Sequence, residues 1–343
     1  MSKEALITMD PGEAQVDHAL FDMKAGRVVK GTGGVASRLM ANDFNPNALR
    51  TNDVLQYDEW KEIDRTVLEI SKDRLVGVSD LVNAGCVYNI PNGLGSTVLL
   101  YQDASDMEDA HVSMDAREPG QADRVEFDTN YLPLFITHKG FNLNIRVLQA
   151  SRGMGQPLDT TLAAMAARKV AEKVETILFT GLSSYTYAGG TIRGYTDFDH
   201  RTTGSIGTNW DDSGADPLKN ALAMVKDSIA DKHYGPWILY VPANFQAAIE
   251  DDYNTTYPSR TVRERLQAID GITKVAVADK LTADNVVLVE LKPDTARMVI
   301  GMQPTTVQWE SGDGMQIHFK VMTIMVPQLR ADQADRSGIV HYS

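Results

Sequence analysis

Seven histidines are the first place to look for chemistry: His18, His111, His138, His200, His233, His318 and His341. No two stand four residues apart, so no helix face offers the paired imidazoles and intervening glutamate of an HExxH zinc site. The one cysteine, Cys86, can build neither a thiolate metal site nor an intrachain disulfide, and its solitude points to a reducing compartment. The chain has no GxSxG elbow and no GxxxxGK[ST] loop. Three stretches come nearer to a site. Gly31-Thr32-Gly33-Gly34-Val35-Ala36 fits GxGxxA, but a dinucleotide site needs a buried strand before it, and only Val28 and Val29 precede it, so it reads as a turn. Asp211-Asp212-Ser213-Gly214 begins like a calcium loop and lacks the later ligands and the closing glutamate. Asp106-Met107-Glu108-Asp109 could gather a cation, although a solvated acidic face is the better reading. Trp309, at the polar edge of a strand pattern, reads as an anchor rather than a stacking platform. No catalytic residue, cofactor or metal ligand is assigned. The remaining enzyme reading is a soluble acidic hydrolase whose catalytic residues come from distant parts of the chain.

The balance of charge excludes further classes. Lys plus Arg is 33 and Asp plus Glu is 46, for a net charge of −13. A chain with that field is not drawn to nucleic acid as a whole. No apolar run approaches the 18 or so residues of a membrane span, and MSKEALITMDPGEAQ has no basic stretch followed by a hydrophobic one, so it is not a secretory signal. The 343 residues suffice for one large or two medium domains, and no internal repeat is visible.

The elements begin with a weakly patterned arm, 1–54, rich in Gly, Asn and Asp. Residues 57–76 follow as an amphipathic helix with Trp60, Ile63, Val67, Ile70 and Leu75 on its apolar face. Residues 87–91 and 97–101 are short strand pieces. Between Asp103 and Asp128 the chain carries nine acidic residues against Arg117 and Arg124, and 132–137 returns to strand chemistry. That outline is a two-stranded excursion leaving the core and coming back. Residues 157–181 form one long helix. Leu162, Met165, Ala166, Val170, Val174, Ile177 and Leu178 make its stripe, Arg168, Lys169, Glu172, Lys173 and Glu175 lie off it, Asp159 can cap it and Gly181 ends it. Loops over 183–209 lead to a helix opened by Asp216-Pro217, with Leu218, Leu222, Val225 and Ile229 as its stripe. A buried strand at 237–241, short helices after 242 and at 261–269, and strands at 274–277, 286–291 and 297–302 argue for an α/β unit. Residues 305–309 and 315–326 alternate with period two, Ile317, Phe319 and Val321 sharing a face, and 329–343 read as a polar surface tail.

This order of parts resembles the tailed-phage major capsid and encapsulin superfamily. The residues that carry the likeness are Glu59-Trp60-Lys61-Glu62-Ile63-Asp64-Arg65, Pro157-Leu158-Asp159 leading to Arg168-Lys169-Val170-Ala171-Glu172, and Ile177-Leu178-Phe179-Thr180-Gly181 with Arg193-Gly194-Tyr195. Val241-Pro242-Ala243-Asn244-Phe245 and Ala296-Arg297-Met298-Val299-Ile300-Gly301 complete the set. The likeness covers about 55–343 in the same order. It implies an α+β phage major-capsid fold: an N-terminal arm at 1–54, a peripheral domain with a long spine helix from 55–85, 133–185 and 305–343, an extended hairpin loop at 86–132, and an α/β axial domain at 186–304. It implies a self-assembling icosahedral shell subunit, not an enzyme, made of pentamers and hexamers. The head would enclose DNA without sequence-specific binding, assembled in the host cytoplasm and found in the virion. Scaffold, portal and decoration proteins are the further partners such a shell takes; membrane is not one. The alternative is an encapsulin-like compartment enclosing a cargo protein. Two departures bear on this. Only about 54 residues precede the first helix, so a large processed scaffolding segment is not expected. Tyr101 to Phe127 contains no Lys, so a lysine crosslink cannot use this loop.

The acidic excursion repels itself on one subunit. The family geometry lays it across a neighbour, near the long helix. An intersubunit charge contact is therefore expected between Asp106 and Asp109 on one side and Arg152, Arg168, Lys169 and Lys173 on the other.

Overall fold

Two runs, Trp237-Ile238-Leu239-Tyr240-Val241 and Val286-Val287-Leu288-Val289, offer no polar face at all, which requires a sheet covered on both sides. In the computed structural model they are β8 (Trp237–Pro242) and β10 (Val286–Glu290), inside a five-stranded sheet ordered β7-β13-β10-β8-β9. β7 is Thr202–Gly204, β9 Ile272–Ala278 and β13 Ile339–Tyr342. Residues 63, 65–67, 76–104, 114, 127–146, 160–252, 260–310, 315–332 and 334–343 are described. Successive side chains of each strand enter opposite cores. Trp237, Leu239, Val286 and Leu288 pack with helix α3 (Pro217–Ala230) and the short helices α4 (Gln246–Glu250) and α5 (Val262–Gln267). Ile238, Tyr240, Val287 and Val289 face a core shared with α1 (Val76–Asn83) and α2 (Thr161–Thr180).

Asp216 caps α3 by accepting from the Lys219 N–H at 3.0 Å, with Pro217 in the first turn, as its sequence signals. The buried face is Ala221, Met224, Val225 and Ser228, while Leu222 and Ile229 of the expected stripe are exposed. On this face the Trp237 indole N–H donates to Ser228 Oγ at 3.0 Å.

β13 corrects the expectation of a polar tail over 329–343. All four of its residues are buried, and it lies between β10, antiparallel, and β7, parallel. Residues 339–342 therefore pair with strands drawn from 186–304, not with 305–329. The His341 ring is fixed from both sides: Nδ1 accepts from Arg201 Nε–H at 3.2 Å and Nε2 meets Asn285 Oδ1 at 2.8 Å. Burial, and then the Arg201 charge, bring His341 down to about 4, so it is neutral at ordinary pH.

The second sheet is ordered β1-β11-β12-β4, from Val87–Asn89, Ala296–Glu310, Gln316–Leu329 and Thr137–Asn144. The separate strands expected at 297–302 and 305–309 are one strand, β11, irregular in register between Ile300 and Thr305, and it crosses the expected boundary at 304/305. Ile317, Phe319 and Val321 do share one buried face of β12, and Phe319 stacks on Phe141 of β4 at 5.0 Å.

Against that face lies α2. Its buried side is Ala163, Ala166, Ala167, Val170, Ala171 and Val174. Alanines let a helix come close to a sheet, so the seam runs along the small side chains. Leu162 and Met165, expected in the stripe, are 42% and 52% exposed at its rim, and Glu175, expected outside it, is buried. The N-cap is Thr160, without a side-chain bond, and Asp159 lies outside the described residues. Gly181 ends the helix as expected, but at φ 71° and ψ −170°, an extended positive-φ conformation open essentially to glycine and not the left-handed turn. Ile63 and Val67 are buried against α2, while Trp60, Ile70 and Leu75 fall outside the described residues. The 183–209 stretch is less loop-rich than expected: β5 (Leu182–Tyr187) and β6 (Gly190–Ile192) make a hairpin.

Candidate intersubunit surface

Because α2 buries its alanines, the opposite side must face outward, and the basic residues stand there. Arg168 Nε lies 3.6 Å from Glu172 Oε1 and Lys169 Nζ 3.0 Å from Glu172 Oε2, while Lys173 is exposed one turn beyond Lys169. Lys280, in the chain after β9, brings its Nζ to 4.0 Å from the same carboxylate. Arg168, Lys169 and Lys280 thus surround one anion, and with the exposed Lys173, next to Glu172 in sequence, the group carries three net positive charges. The Lys169 hydrogen bond holds the Glu172 carboxyl below the usual carboxylate range against partial burial, with the Lys280 charge adding to it. Nothing in sequence spacing signals Lys280. It arrives only because α2 and β9 share a core.

The other half of the expected contact begins in β2 (Val98–Ala104) and β3 (Phe127–Pro133), which pair antiparallel from Val98↔Pro133 to Ala104↔Phe127. The two strands pair as a ribbon, while 105–113 and 115–126, the rest of the expected excursion, lie outside the described residues. Its base is built into the core: Leu99 and Leu132 pack with Ile177 of α2. Arg330 Nη2–H donates to the Gln102 carbonyl at 2.8 Å and lies over the Tyr101 ring. Farther out, apolar side chains turn into solvent. Leu100 is 62% exposed, beside its cross-strand partner Tyr131, and Phe127 is exposed likewise. The exposed Tyr185 of the β5–β6 hairpin meets Phe135 edge to face at 4.4 Å. Leu100, Tyr131, Phe127 and Tyr185 are thus large apolar side chains left exposed on the ribbon and the neighbouring hairpin. Asp106, Asp109 and Arg152 lie outside the described residues, so of the expected contact residues only Arg168, Lys169 and Lys173 are brought together.

Several of the candidate side chains are engaged within the chain. A groove of ≈ 560 Å³ between the ribbon, the β5–β6 hairpin and 329–335 is lined by Asp128, Arg193, Asp199 and His200. Within it Arg193 pairs with Asp199 at 2.7 Å and Asp197 at 3.3 Å, and His200 with Asp335 at 2.9 Å. Among the described residues no three His, Cys, Asp or Glu side chains converge as a metal site. His233 bonds the buried Glu290 carboxylate, which also takes the Gly235 N–H at 3.0 Å, Lys292 Nζ at 2.8 Å and Thr295 Oγ1 at 3.0 Å. Burial pushes Glu290 up, but those donors outweigh it and bring it to about 2. Trp309 stacks on His318 at 5.5 Å under the Lys320 ammonium, an anchor across β11 and β12. His18, His111, the 31–36 turn and the 106–109 acidic run lie outside the described residues.

A family model described as a family of unknown function (DUF6260) matches residues 47–342. The chain belongs to this family. Its fold is the one shared by tailed-phage capsid proteins and encapsulins. The chain of the virus-like particle from Pyrococcus furiosus superposes with a TM-score of 0.60 at 14% identity, covering 84% of this chain and 99% of that one. The capsid of Myoviridae Phage XM1 follows with a TM-score of 0.57 at 11% identity, over 75% and 89% of the two chains. The type 1 encapsulin shell protein EncA of Myxococcus xanthus (strain DK1622) is 22% identical over 292 residues, 82% of this chain and 92% of its own length. A member of this family of unknown function thus carries a mixed α+β fold found elsewhere in capsid and virus-like particle subunits.

Proposed function

We propose that this chain is the subunit of a closed protein shell, a major capsid protein that self-assembles into an icosahedral phage head enclosing DNA. The observation that carries this reading is the likeness over 99% of the Pyrococcus furiosus particle subunit. The ribbon with its exposed Leu100, Phe127 and Tyr131 adds to it, because burying such side chains under a neighbour is favourable. The partner is a second copy of the chain, in pentamers and hexamers. Scaffold, portal and decoration proteins are further partners of such a shell. The role is structural and not catalytic, and its place is the virion, after assembly in the host cytoplasm.

Within this reading the β2–β3 ribbon belongs to the extended loop, 86–132. The peripheral domain combines 55–85, 133–185 and 305–329, with α2 as spine. The axial domain is 186–304 completed by β13. The Arg168, Lys169, Lys173 and Lys280 patch receives the acidic loop of the adjacent subunit, bringing Asp106 and Asp109 against it, with Arg152 nearby. The alternative, a compartment enclosing a cargo protein, rests on the EncA likeness over most of both chains.

Electron microscopy of the purified full-length protein, with nuclease-protected nucleic acid and co-purifying protein quantified, tests the reading. Icosahedral shells holding DNA are expected for the phage head, and shells holding one stoichiometric protein favour the compartment. A chain that stays monomeric at every concentration and salt overturns both.

A further inference from the structure

Where the ribbon base meets the second sheet, Arg297 and Gln328 offer more N–H donors than the described chain accepts. Arg297 of β11 and Gln328 of β12 stand opposite each other in register, and Arg297 Nε–H donates to Gln328 Oε1 at 2.6 Å. The Arg297 guanidinium lies over the Tyr88 ring of β1, 4.7 Å from its centroid. A ring and an amide oxygen carry no charge to offset it, and among the described residues no carboxylate stands in ion-pair contact with Arg297. A second cation is close by. Arg330, just past β12, lies over Tyr101 of β2 at 5.8 Å and donates from Nη2 to the Gln102 carbonyl at 2.8 Å. Burial, and then the Arg330 charge, lower the Arg297 guanidinium below its ordinary value, while Tyr88, Asp294 and Tyr101 act the other way. Gln328 is fully buried, yet its Nε2 reaches no acceptor among the described residues. Turning the carboxamide over does not help, because its N–H would then face the Arg297 N–H, donor against donor. A buried donor left over in this way calls for a partner.

We propose that Arg297 and Gln328, beside Arg330, form a binding site for a phosphate-class oxyanion, taken either as the free ion or as a phosphate ester. The two Nη groups of Arg297 and the Nε2 of Gln328 are three nitrogen donors without acceptors among the described residues. A phosphate carries an oxygen for each of them, whereas a carboxylate carries only two oxygens. A water satisfies the amide but brings no charge against two neighbouring guanidiniums. Arg297 is half-buried, so an ion can reach it from solvent and is less screened there than on an open surface. Stacking on Tyr88 holds the guanidinium plane in place before the ion arrives. The donors come from β11 and β12, and Arg330 grips β2, so a bound ion fixes the base of the ribbon to the sheet. The site is built from one chain and does not depend on the shell reading.

Calorimetric titration of the full-length protein with inorganic phosphate near neutral pH, against chloride at matched ionic strength, is the test. Saturable binding is expected for phosphate, with amide exchange slowed at β1, at β2 and over 296–298 and 327–330. Gln328→Glu keeps the size of the side chain and hands Arg297 a carboxylate from within the chain. It should weaken phosphate binding about tenfold or more and leave the ion-free protein melting no lower than the native chain, and Arg297→Gln should weaken binding likewise. Adenosine monophosphate, titrated in parallel, separates the two sources: tighter binding than inorganic phosphate assigns an ester, weaker binding the free ion. No saturable binding above the chloride control, or native affinity in both variants, overturns the proposal. The exchange footprint on the native chain decides even if neither variant folds: protection confined to α2 around Lys169 overturns it too.

Discussion

Reversing Arg168 and Lys169 to Glu separates the cost of folding from the cost of assembly. Within the chain the two residues hold Glu172 at 3.6 and 3.0 Å. Exposed pairs three and four apart on a helix contribute about 0.3–0.5 kcal/mol each, and like charges at the same spacing cost similar amounts. The double reversal should therefore destabilise the fold by about 1–2 kcal/mol, a shift of a few degrees in melting temperature for a chain of this length. At the surface the same change turns a patch of three net positive charges into one of net negative charge. If each cation gains up to about 1 kcal/mol from an acidic loop across the interface, reversal replaces that gain with a penalty of like size, up to about 4 kcal/mol per contact. That is up to roughly a thousandfold in each association step. Light scattering should show shell growth blocked at low salt while circular dichroism shows a folded chain. Restoring opposite signs with Asp106→Lys and Asp109→Lys should recover part of the growth. Salt near 0.15 M, where charges more than about 8 Å apart are screened, should blunt all of these differences. Growth of the double reversal at the native rate, without compensation, would refute the contact.

Phe319→Ala should cost about 3–5 kcal/mol and Ile177→Ala about 2–5 kcal/mol, whereas Leu162→Ala, on the exposed rim, should leave the melt of the unassembled chain within about 0.5 kcal/mol, all read from denaturant midpoints. Acid should unfold the five-stranded sheet first. His341, lowered to about 4, and Glu290, lowered to about 2, contribute stability present at neutral pH. The His341 share is lost as pH falls from about 6.5 through 4, and the Glu290 share from about 4.5 through 2, so exchange at β10 and β13 should accelerate with acid. A chain starting at Thr51 should keep its cooperative melt and form fewer or misshapen shells; loss of the melt would place 1–50 in the core.

What could be read from the sequence was whatever local chemistry decides. Asp216-Pro217 announces a helix start because a side-chain acceptor and a missing N–H are both local facts. The β12 face follows from strict alternation, and β8 from an unbroken apolar run. The capsid-like fold came through the order of several weak motifs. Of the expected α2 stripe, Ala166, Val170, Val174, Ile177 and Leu178 are buried, and only Leu162 and Met165 are displaced, because close packing on a sheet favours Ala163, Ala167 and Ala171. Glu175 could not be placed inward, since its acceptors' partners lie 97 and 98 residues earlier. Residues 339–342 are too short a run to outweigh their polar surroundings; only two waiting strand edges make them a strand. Of the contact patch, Arg168, Lys169 and Lys173 stood together in sequence, and Lys280 joined them through tertiary packing alone.

The position of β13 also orders events in time. A polypeptide leaves the ribosome from its amino end, so β7, β8, β9 and β10 are all made before Ile339–Tyr342. Until those last residues emerge, the sheet is in two pieces, with raw edges on β7 and β10 and an unfilled slot where Val340 and Tyr342 complete one core and Ile339 the other. Chains broken off during synthesis therefore cannot close this sheet and expose its interior to proteases and chaperones. The strand at 339–342 thus joins β7 to the rest of the sheet, and the two cores on its faces close together only when it is in place.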